Sequence, residues 1–192
     1  MVRIITGKHR GRRLHSPAGT EVRPTSDRTR TALFNILGPW IEAKRVLDLY
    51  AGIGGIGCEC LSRGASHVTF VEKNRDAIRC LKENLEMLRE TANAILIPDD
   101  VERAISRLGG RHAPYDLVYA DPPYRQEDAP RILALLRAAA LTHPESIVII
   151  EHALNPFPEG ECVPGWLCYR NSRYGKAMLS FFTQSQASEK AT

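Results

Sequence analysis

The chain has 192 residues, 43% of them apolar and 25% charged, a balance that suits one globular domain with a full core and argues against disordered or fibrous classes. No apolar run approaches the roughly 20 residues of a membrane helix, the stretch Met1–Lys8 lacks a signal-peptide apolar region, and five cysteines, an odd number, argue against a disulfide framework. The net charge of +4 is unevenly placed: residues 1–31 hold eight Lys/Arg against two acids, a net +6, and the remainder is −2. These features predict a cytoplasmic protein with an electrostatic handle for phosphates at its N-terminal end. The six histidines are scattered and none pairs with a cysteine or carboxylate at ligand spacing, so no metal is expected.

Residues 3–22 read as extended or hairpin-like, with turn points at Gly7, Gly11, Pro17 and Gly19. Thr25 or Ser26 can cap a helix running through Arg28 to about Leu37, with Ala32, Leu33, Ile36 and Leu37 on one face and Gly38-Pro39 as its stop. From Arg45 onward strand and helix alternate. Strands are predicted over 45–50, 67–71, 94–97, 115–120 and 146–150, and helices over 56–63, 75–89, 101–108 and 129–141. Residues 166–170 and 177–182 read as two more strands, a terminal hairpin or edge pair. The pattern predicts an α/β fold: a Rossmann-like sheet, mostly parallel with a C-terminal antiparallel strand, helices on both faces and a small N-terminal hairpin and helix extension. The expected organisation is a basic extension over 1–40, a core domain over 41–183 and a frayed polar tail over 184–192.

The segment Val46–Gly57 reads as strand, glycine loop and helix start. Gly52, Gly54 and Gly57 formally match G-x-G-x-x-G, and Glu72 follows Gly52 by 20 residues at the end of the next strand. An acidic residue at that spacing suits the hydroxyls of a ribose, so a nucleoside-containing cofactor is expected. NAD is one candidate. Asp48, four residues before the first glycine, would face its pyrophosphate unfavourably but suits the sulfonium and ammonium of S-adenosylmethionine. Asp99 and Asp100 follow the third strand. Either could accept from an adenine amino group; Asp100, which opens the short helix, is preferred, with a helix cap as its other reading.

Asp121-Pro122-Pro123-Tyr124 follows the apolar run Leu117–Ala120. The carboxylate can accept from an exocyclic N–H, the prolines fix φ and have no N–H to offer, and the tyrosine ring can stack on an extruded base. The combination suits methylation of a nucleobase amino group; the same residues also make common turn punctuation.

Together these residues resemble the class I S-adenosylmethionine-dependent methyltransferases in their amino-methylating branch. Arg23-Pro24-Thr25-Ser26-Asp27-Arg28 with Leu33–Leu37, then Gly57–Ala65, then Phe70–Lys73, narrow the resemblance to the RsmD family, bacterial 16S ribosomal RNA guanine-N2 methyltransferases. It spans about residues 3–183, and the pairing of Arg-Pro-Thr with Asp-Pro-Pro-Tyr is its specific feature. Thr31 departs from the glutamate usual in the family and Cys60 from the usual alanine. The resemblance implies that Asp48, Tyr50, Ala51, Gly52, Gly54, Glu72, Lys73, Asp99, Asp100 and Asp121 hold S-adenosylmethionine. It implies that Asp121, Pro122, Pro123 and Tyr124 hold the amine, and that Arg10, Arg12, Arg23, Thr25, Arg28 and Arg30, with Tyr124, bind RNA. The expected partner is 16S rRNA within an assembled or partly assembled small subunit, met by a monomer. Methylation of adenine N6 in DNA or RNA, and a non-catalytic RNA-binding assembly role, are the competing readings.

Overall fold

A computed structural model describes residues 2–17, 27–110, 113–123, 128–153 and 155–185, the side chains of Asp27 and Glu161 excepted. The chain divides into two compact units, Met1–Ala104 and Ile105–Thr192.

The first unit opens with a short hairpin. Arg3 and Arg13 form an antiparallel bridge, flanked by Ile4 N–H to Arg12 O and Leu14 N–H to Val2 O, both 2.9 Å. Val2, Ile4 and Leu14 are buried beneath it. Helix α1 (Asp27–Leu37) follows; the expected caps Thr25 and Ser26 lie outside the described residues. Its buried residues are Thr29, Arg30, Leu33, Phe34 and Leu37, whereas Ala32 and Ile36 are only half-buried. The buried stripe is therefore rotated from the predicted one, because Phe34 and the aliphatic stem of Arg30 go inward. Gly38-Pro39 does not stop the chain's winding at once; it tightens into a 3-10 turn over Gly38–Ile41, in which proline's missing N–H costs nothing.

Strands β1 (Arg45–Leu49), β2 (His67–Val71) and β3 (Ala94–Ile97) pair in parallel, β2 in the middle. Val46, Leu47, Leu49, Val68, Phe70 and Val71 are buried, the near-continuous apolar runs of strands covered on both faces. Helix α2 (Gly55–Ser62) is buried from Ile56 to its end. Gly57 permits this: a β-carbon there would sit 2.2 Å from the Phe70 ring. Helix α3 (Arg75–Leu88) is capped by the Asn74 side chain, which accepts from Asp76 and Ala77 N–H at 3.0 Å each. It buries Ala77, Cys80, Leu81, Asn84, Leu85 and Leu88 at helical spacing. Helix α4 (Val101–Leu108) begins on the residue after Asp100.

In the second unit, β4 (Tyr115–Ala120) pairs in parallel with β5 (Thr142–His152). Helix α5 (Asp128–Ala138) connects them. It ends three residues before the expected stop: Ala140 turns left-handed and Leu141 N–H returns to Leu136 O at 3.1 Å, a Schellman closure made without glycine. Strand β5 is longer at both ends than its apolar run, since Thr142 at its start pairs with Tyr115 of β4 and its end pairs antiparallel with β8 (Ala177–Gln184) as far as His152↔Met178. Strand β7 (Trp166–Tyr174) pairs with β8 and with a further short strand, β6 (Gly160–Val163). The antiparallel part is thus three strands, one more than the sequence predicts, because Gly-Glu-Cys-Val carries too little apolar alternation to be read. Gln184 belongs to β8, and residues 186–192 of the expected tail lie outside the described residues.

Candidate functional site

The glycine loop joins β1 to α2 through a run of left-handed residues: Tyr50 at φ 58°, Gly52 at 56° and Gly54 at 85°. Glycine is needed at Gly54, where a β-carbon would lie 2.4 Å from Leu81 Cδ1. Tyr50 adopts this region without being glycine, a strained position of the kind that clusters at functional sites. Ala51 N–H donates to Val71 O at 3.0 Å and Gly54 N–H to Ala51 O at 2.8 Å, so the loop is stitched to β2 and to itself.

Two carboxylates brace it. Asp48 Oδ2 accepts from Gly57 N–H at 2.9 Å, and Asp48 is 2% exposed. The spacing alone predicts a carboxylate facing a ligand; the structure turns it into the loop. It occupies the first turn of α2, where a bound pyrophosphate would need both the N–H groups and the positive end of the helix. Glu72 closes the other side: Oε2 accepts from Gly52 N–H at 2.8 Å, and Oε1 from Lys73 N–H at 2.8 Å and Asn74 N–H at 2.7 Å. A carboxylate has about four lone-pair sites, so acceptor capacity for hydroxyl groups is left beside Gly52. A β-carbon on Gly52 would meet nothing within 4 Å, which marks open space over the loop. A donor set of carboxylates and backbone groups around open space fits a cationic nucleoside and not a phosphorylated one.

Asp100 caps α4, its Oδ1 accepting from Glu102 N–H at 3.1 Å, and its Oδ2 lies 3.4 Å from Lys73 Nζ. Asp99 Oδ1 accepts from Asp100 N–H and from Arg103 Nε, both at 2.8 Å. Asp100 is the more exposed of the two, its side chain 37% accessible against 16% for Asp99. Burial pushes the Cys58 and Cys60 thiols well up, with Asp48 adding to the effect; both are inert core groups. Among the described residues no group of three potential metal ligands is gathered.

Asp121 follows β4 directly and is half-buried, Pro122 is buried and Pro123 exposed; Tyr124 lies outside the described residues. Beneath the motif, Tyr119 O–H donates to Glu151 Oε2 at 2.7 Å, both residues buried.

The predicted phosphate-binding arginines separate into three groups. Arg10, Arg12 and Arg28 are exposed, as are Arg3, Lys8 and Arg13. Arg10 and Arg3 line a cavity of about 300 Å³ with Ile4, Ile5, Gly11 and Thr31. Arg23 and Thr25 lie outside the described residues. Arg30 contradicts the expectation: it is 1% exposed, its Nη2 donating to Arg3 O and its Nη1 to Gly55 O at 3.5 Å. It ties the hairpin to the start of α2 and cannot reach a phosphate.

Sequence reasoning misses a second tie of this kind. Asn84 Nδ2 donates to Ile53 O at 3.0 Å and to His15 O at 3.1 Å, while its Oδ1 accepts from His15 N–H at 2.6 Å. The signal is present in the sequence: one asparagine on an otherwise apolar helix face. Glu59 escapes in the same way, a buried carboxylate in α2 accepting from Ile5 and Thr6 N–H at 2.7 and 3.0 Å.

A family model described as conserved hypothetical protein 95 matches residues 2–183. The ribosomal RNA small subunit methyltransferase D of Escherichia coli K12 is 33% identical over 190 residues, covering 98% of this chain and 92% of that protein. The protein of the same name from Haemophilus influenzae is 33% identical over 150 residues, 78% of each. Among solved structures, yhhF from Escherichia coli, named as a methyltransferase, superposes with a TM-score of 0.83 at 32% identity over 96% of this chain and 98% of that one.

Proposed function

The chain belongs to the RsmD family, and from that premise we propose that it methylates the exocyclic N2 amino group of a guanine in 16S ribosomal RNA, with S-adenosylmethionine as donor. The observation that carries the choice of donor is the pair of braces on the glycine loop, Asp48 on Gly57 N–H and Glu72 on Gly52 N–H. They leave negative charge and hydroxyl acceptors where a dinucleotide needs phosphate donors. When bound, the donor supplies an electrophilic methyl group on a sulfonium.

The chain's own residues do the rest. Glu72 holds ribose hydroxyls, and Asp100, with Asp99 behind it, meets the adenine amine. Asp48 keeps the loop in shape and contributes a negative field to a cationic ligand. Tyr50, Ala51, Gly52 and Gly54 form the floor, and Lys73 holds Asp100 in place.

Guanine N2 is a poor nucleophile because its lone pair is delocalised into the ring. The Asp121 carboxylate and the Pro122 carbonyl each accept one N–H, which turns the lone pair outward; orientation of this kind supplies several kcal/mol of a barrier. Neither Pro122 nor Pro123 has an N–H to compete for the lone pair. The nitrogen becomes acidic once methylated and sheds its proton to Asp121 or water, so no strong base is needed. Tyr124 stacks on the extruded base. Arg10, Arg12 and Arg28 engage RNA phosphates, and Arg23 and Thr25 extend that surface. The substrate is 16S rRNA in an assembled or partly assembled small subunit, bound by a monomer in the cytoplasm.

Calorimetry and transfer assays on the same preparations test this reading. Wild-type protein binds S-adenosylmethionine and not NAD, and Asp121→Ala loses methyl transfer at least ~100-fold at saturating donor, the scale expected for a lost positioning contact. Wild-type turnover in Asp121→Ala contradicts the amine-holding role. A wild-type protein that binds no donor is an assembly factor.

A further inference from the structure

We propose that the cavity between the N-terminal hairpin and α1 is a nucleotide subsite, in which Arg3 and Arg10 clamp the phosphate of one unstacked RNA nucleotide whose base lies against Ile5. The inference deepens the proposed function and rests on its RNA substrate, not on which base is methylated.

The cavity measures about 300 Å³ and is lined by Arg3, Ile4, Ile5, Arg10, Gly11 and Thr31. Small-ligand sites start at about 300 Å³, so this one has room for a single nucleotide and none for a duplex. Its two arginines are exposed, and among the described residues neither guanidinium has a partner. The carboxylates that the hairpin touches are engaged elsewhere. Glu59 accepts from Ile5 and Thr6 N–H and from Arg63 Nε, and Glu90 meets Lys8 and His9. Two guanidinium forks on one concave surface, with no acid to neutralise them, complement a phosphate group.

The walls are fixed before any ligand arrives. The turn that carries Arg10 lies hard on α2: Gly7 has φ 82°, and a β-carbon there would sit 1.9 Å from Ser62 O. Lys8 N–H donates to Ser62 O at 2.9 Å and His9 N–H to Ser62 Oγ at 3.0 Å. The strand that carries Arg3 is held from behind by buried Arg30, which donates to the Arg3 carbonyl, and Gly11 N–H donates to Ile4 O at 2.9 Å. A preformed site gives up little ordering entropy on binding.

The lining is apolar as well as charged, with Ile4 buried as the floor and Ile5 half-buried above it. A duplex carries its phosphates on the outside of a rigid cylinder and meets cations on open surface. An apolar wall behind two arginines serves a nucleotide that has left its stack, the form in which single-stranded RNA is gripped. A β-carbon on Gly11 would meet nothing within 4 Å, so the rim beside Arg10 is open to an entering strand.

The probes are a short fluorophore-labelled oligouridine and an RNA duplex of equal phosphate number, titrated at one salt concentration and followed by anisotropy. Donor calorimetry verifies that each variant is folded. Arg3→Ala and Arg10→Ala should each weaken oligouridine binding ~10-fold, the scale of a lost hydrogen bond to a charged group. The double variant should fall no more than ~3-fold below either single one, because one phosphate is lost only once. Arg12 does not line the cavity, and the loss in Arg12→Ala should multiply with that in Arg3→Ala. Thr31→Glu, which sets a carboxylate beside both guanidiniums, should cost at least ~10-fold on oligouridine. On the duplex, Arg3→Ala and Thr31→Glu should each change affinity by ~2-fold at most, since its contacts are spread over many cations. Uridine 5′-monophosphate should displace oligouridine from wild-type protein at concentrations where inorganic phosphate does not. Independent, multiplying losses for Arg3 and Arg10 overturn the proposal, as do equal losses on single strand and duplex. Displacement by inorganic phosphate as effective as by the nucleotide also overturns it, leaving a bare anion site. That comparison uses wild-type protein alone, so it decides even where a variant does not fold. If wild-type protein binds neither RNA, the RNA reading itself fails, an outcome distinct from a failure of the cavity.

Discussion

Gly57 sets the tightest steric limit near the site. A methyl group there would overlap the Phe70 ring at 2.2 Å and crowd Val68 Cγ1 at 2.9 Å, and Phe70 is fully buried in β2 with no room to yield. Gly57→Ala should lower stability by about 1–3 kcal/mol, the scale of core overpacking, read from the urea midpoint, and should weaken donor binding because Gly57 N–H anchors Asp48. Glu72→Ala should act differently: it removes three backbone contacts and the ribose acceptor, so donor Kd should rise at least ~10-fold, measured by calorimetry, with a smaller change in the midpoint. Residues of this kind are legible in the amino-acid sequence. Asp48, Glu72 and the glycines announce themselves by spacing, because a tight strand-to-helix loop leaves few residue types for each position. Arg30 misleads for the opposite reason. An arginine among arginines looks like surface charge, and only packing discloses that its guanidinium bonds to two backbone carbonyls.

At the scale of elements, the N-terminal hairpin is a docked part of the first unit. Glu59 holds its Ile5 and Thr6 amides, Asn84 holds His15, and Glu90 meets Lys8 Nζ at 2.7 Å and His9. Burial pushes the Glu90 carboxyl upward, but hydrogen bonds from Asn93, Lys8 and His9 outweigh it, and the net shift is below the ordinary 4.5. A carboxylate depressed in the folded state contributes stability that is present above 4.5 and lost as pH falls through its lower folded value. Hydrogen exchange of the hairpin amides should therefore accelerate between about pH 5 and about pH 3 relative to the α3 amides, and Glu90→Gln should flatten that difference. The main elements are readable from periodicity, with β2, β3, α4 and β4 falling at their predicted bounds. What periodicity does not carry is what tertiary pairing adds. Strand β5 outruns its apolar core because β4 and β8 offer it ladders, and β6 exists because β7 presents an edge.

At the scale of the whole molecule, the basic N-terminal end carries six exposed cations among its described residues, Arg3, Lys8, Arg10, Arg12, Arg13 and Arg28, on a chain whose remainder is slightly acidic. RNA affinity should fall steeply with salt, and each cation that meets a phosphate should contribute about 0.7–0.9 to the slope of log K against log salt. Arg10→Ala and Arg12→Ala should each reduce that slope, whereas Arg30→Met should leave it unchanged while loosening the hairpin. The measurement that bears most directly on the account is transfer of labelled methyl from S-adenosylmethionine into small ribosomal subunits from cells lacking this protein, followed by nucleoside analysis of the RNA. The account predicts label in N2-methylguanosine of the 16S RNA. Label in N6-methyladenosine, or none in RNA from a preparation that binds the donor, would contradict it.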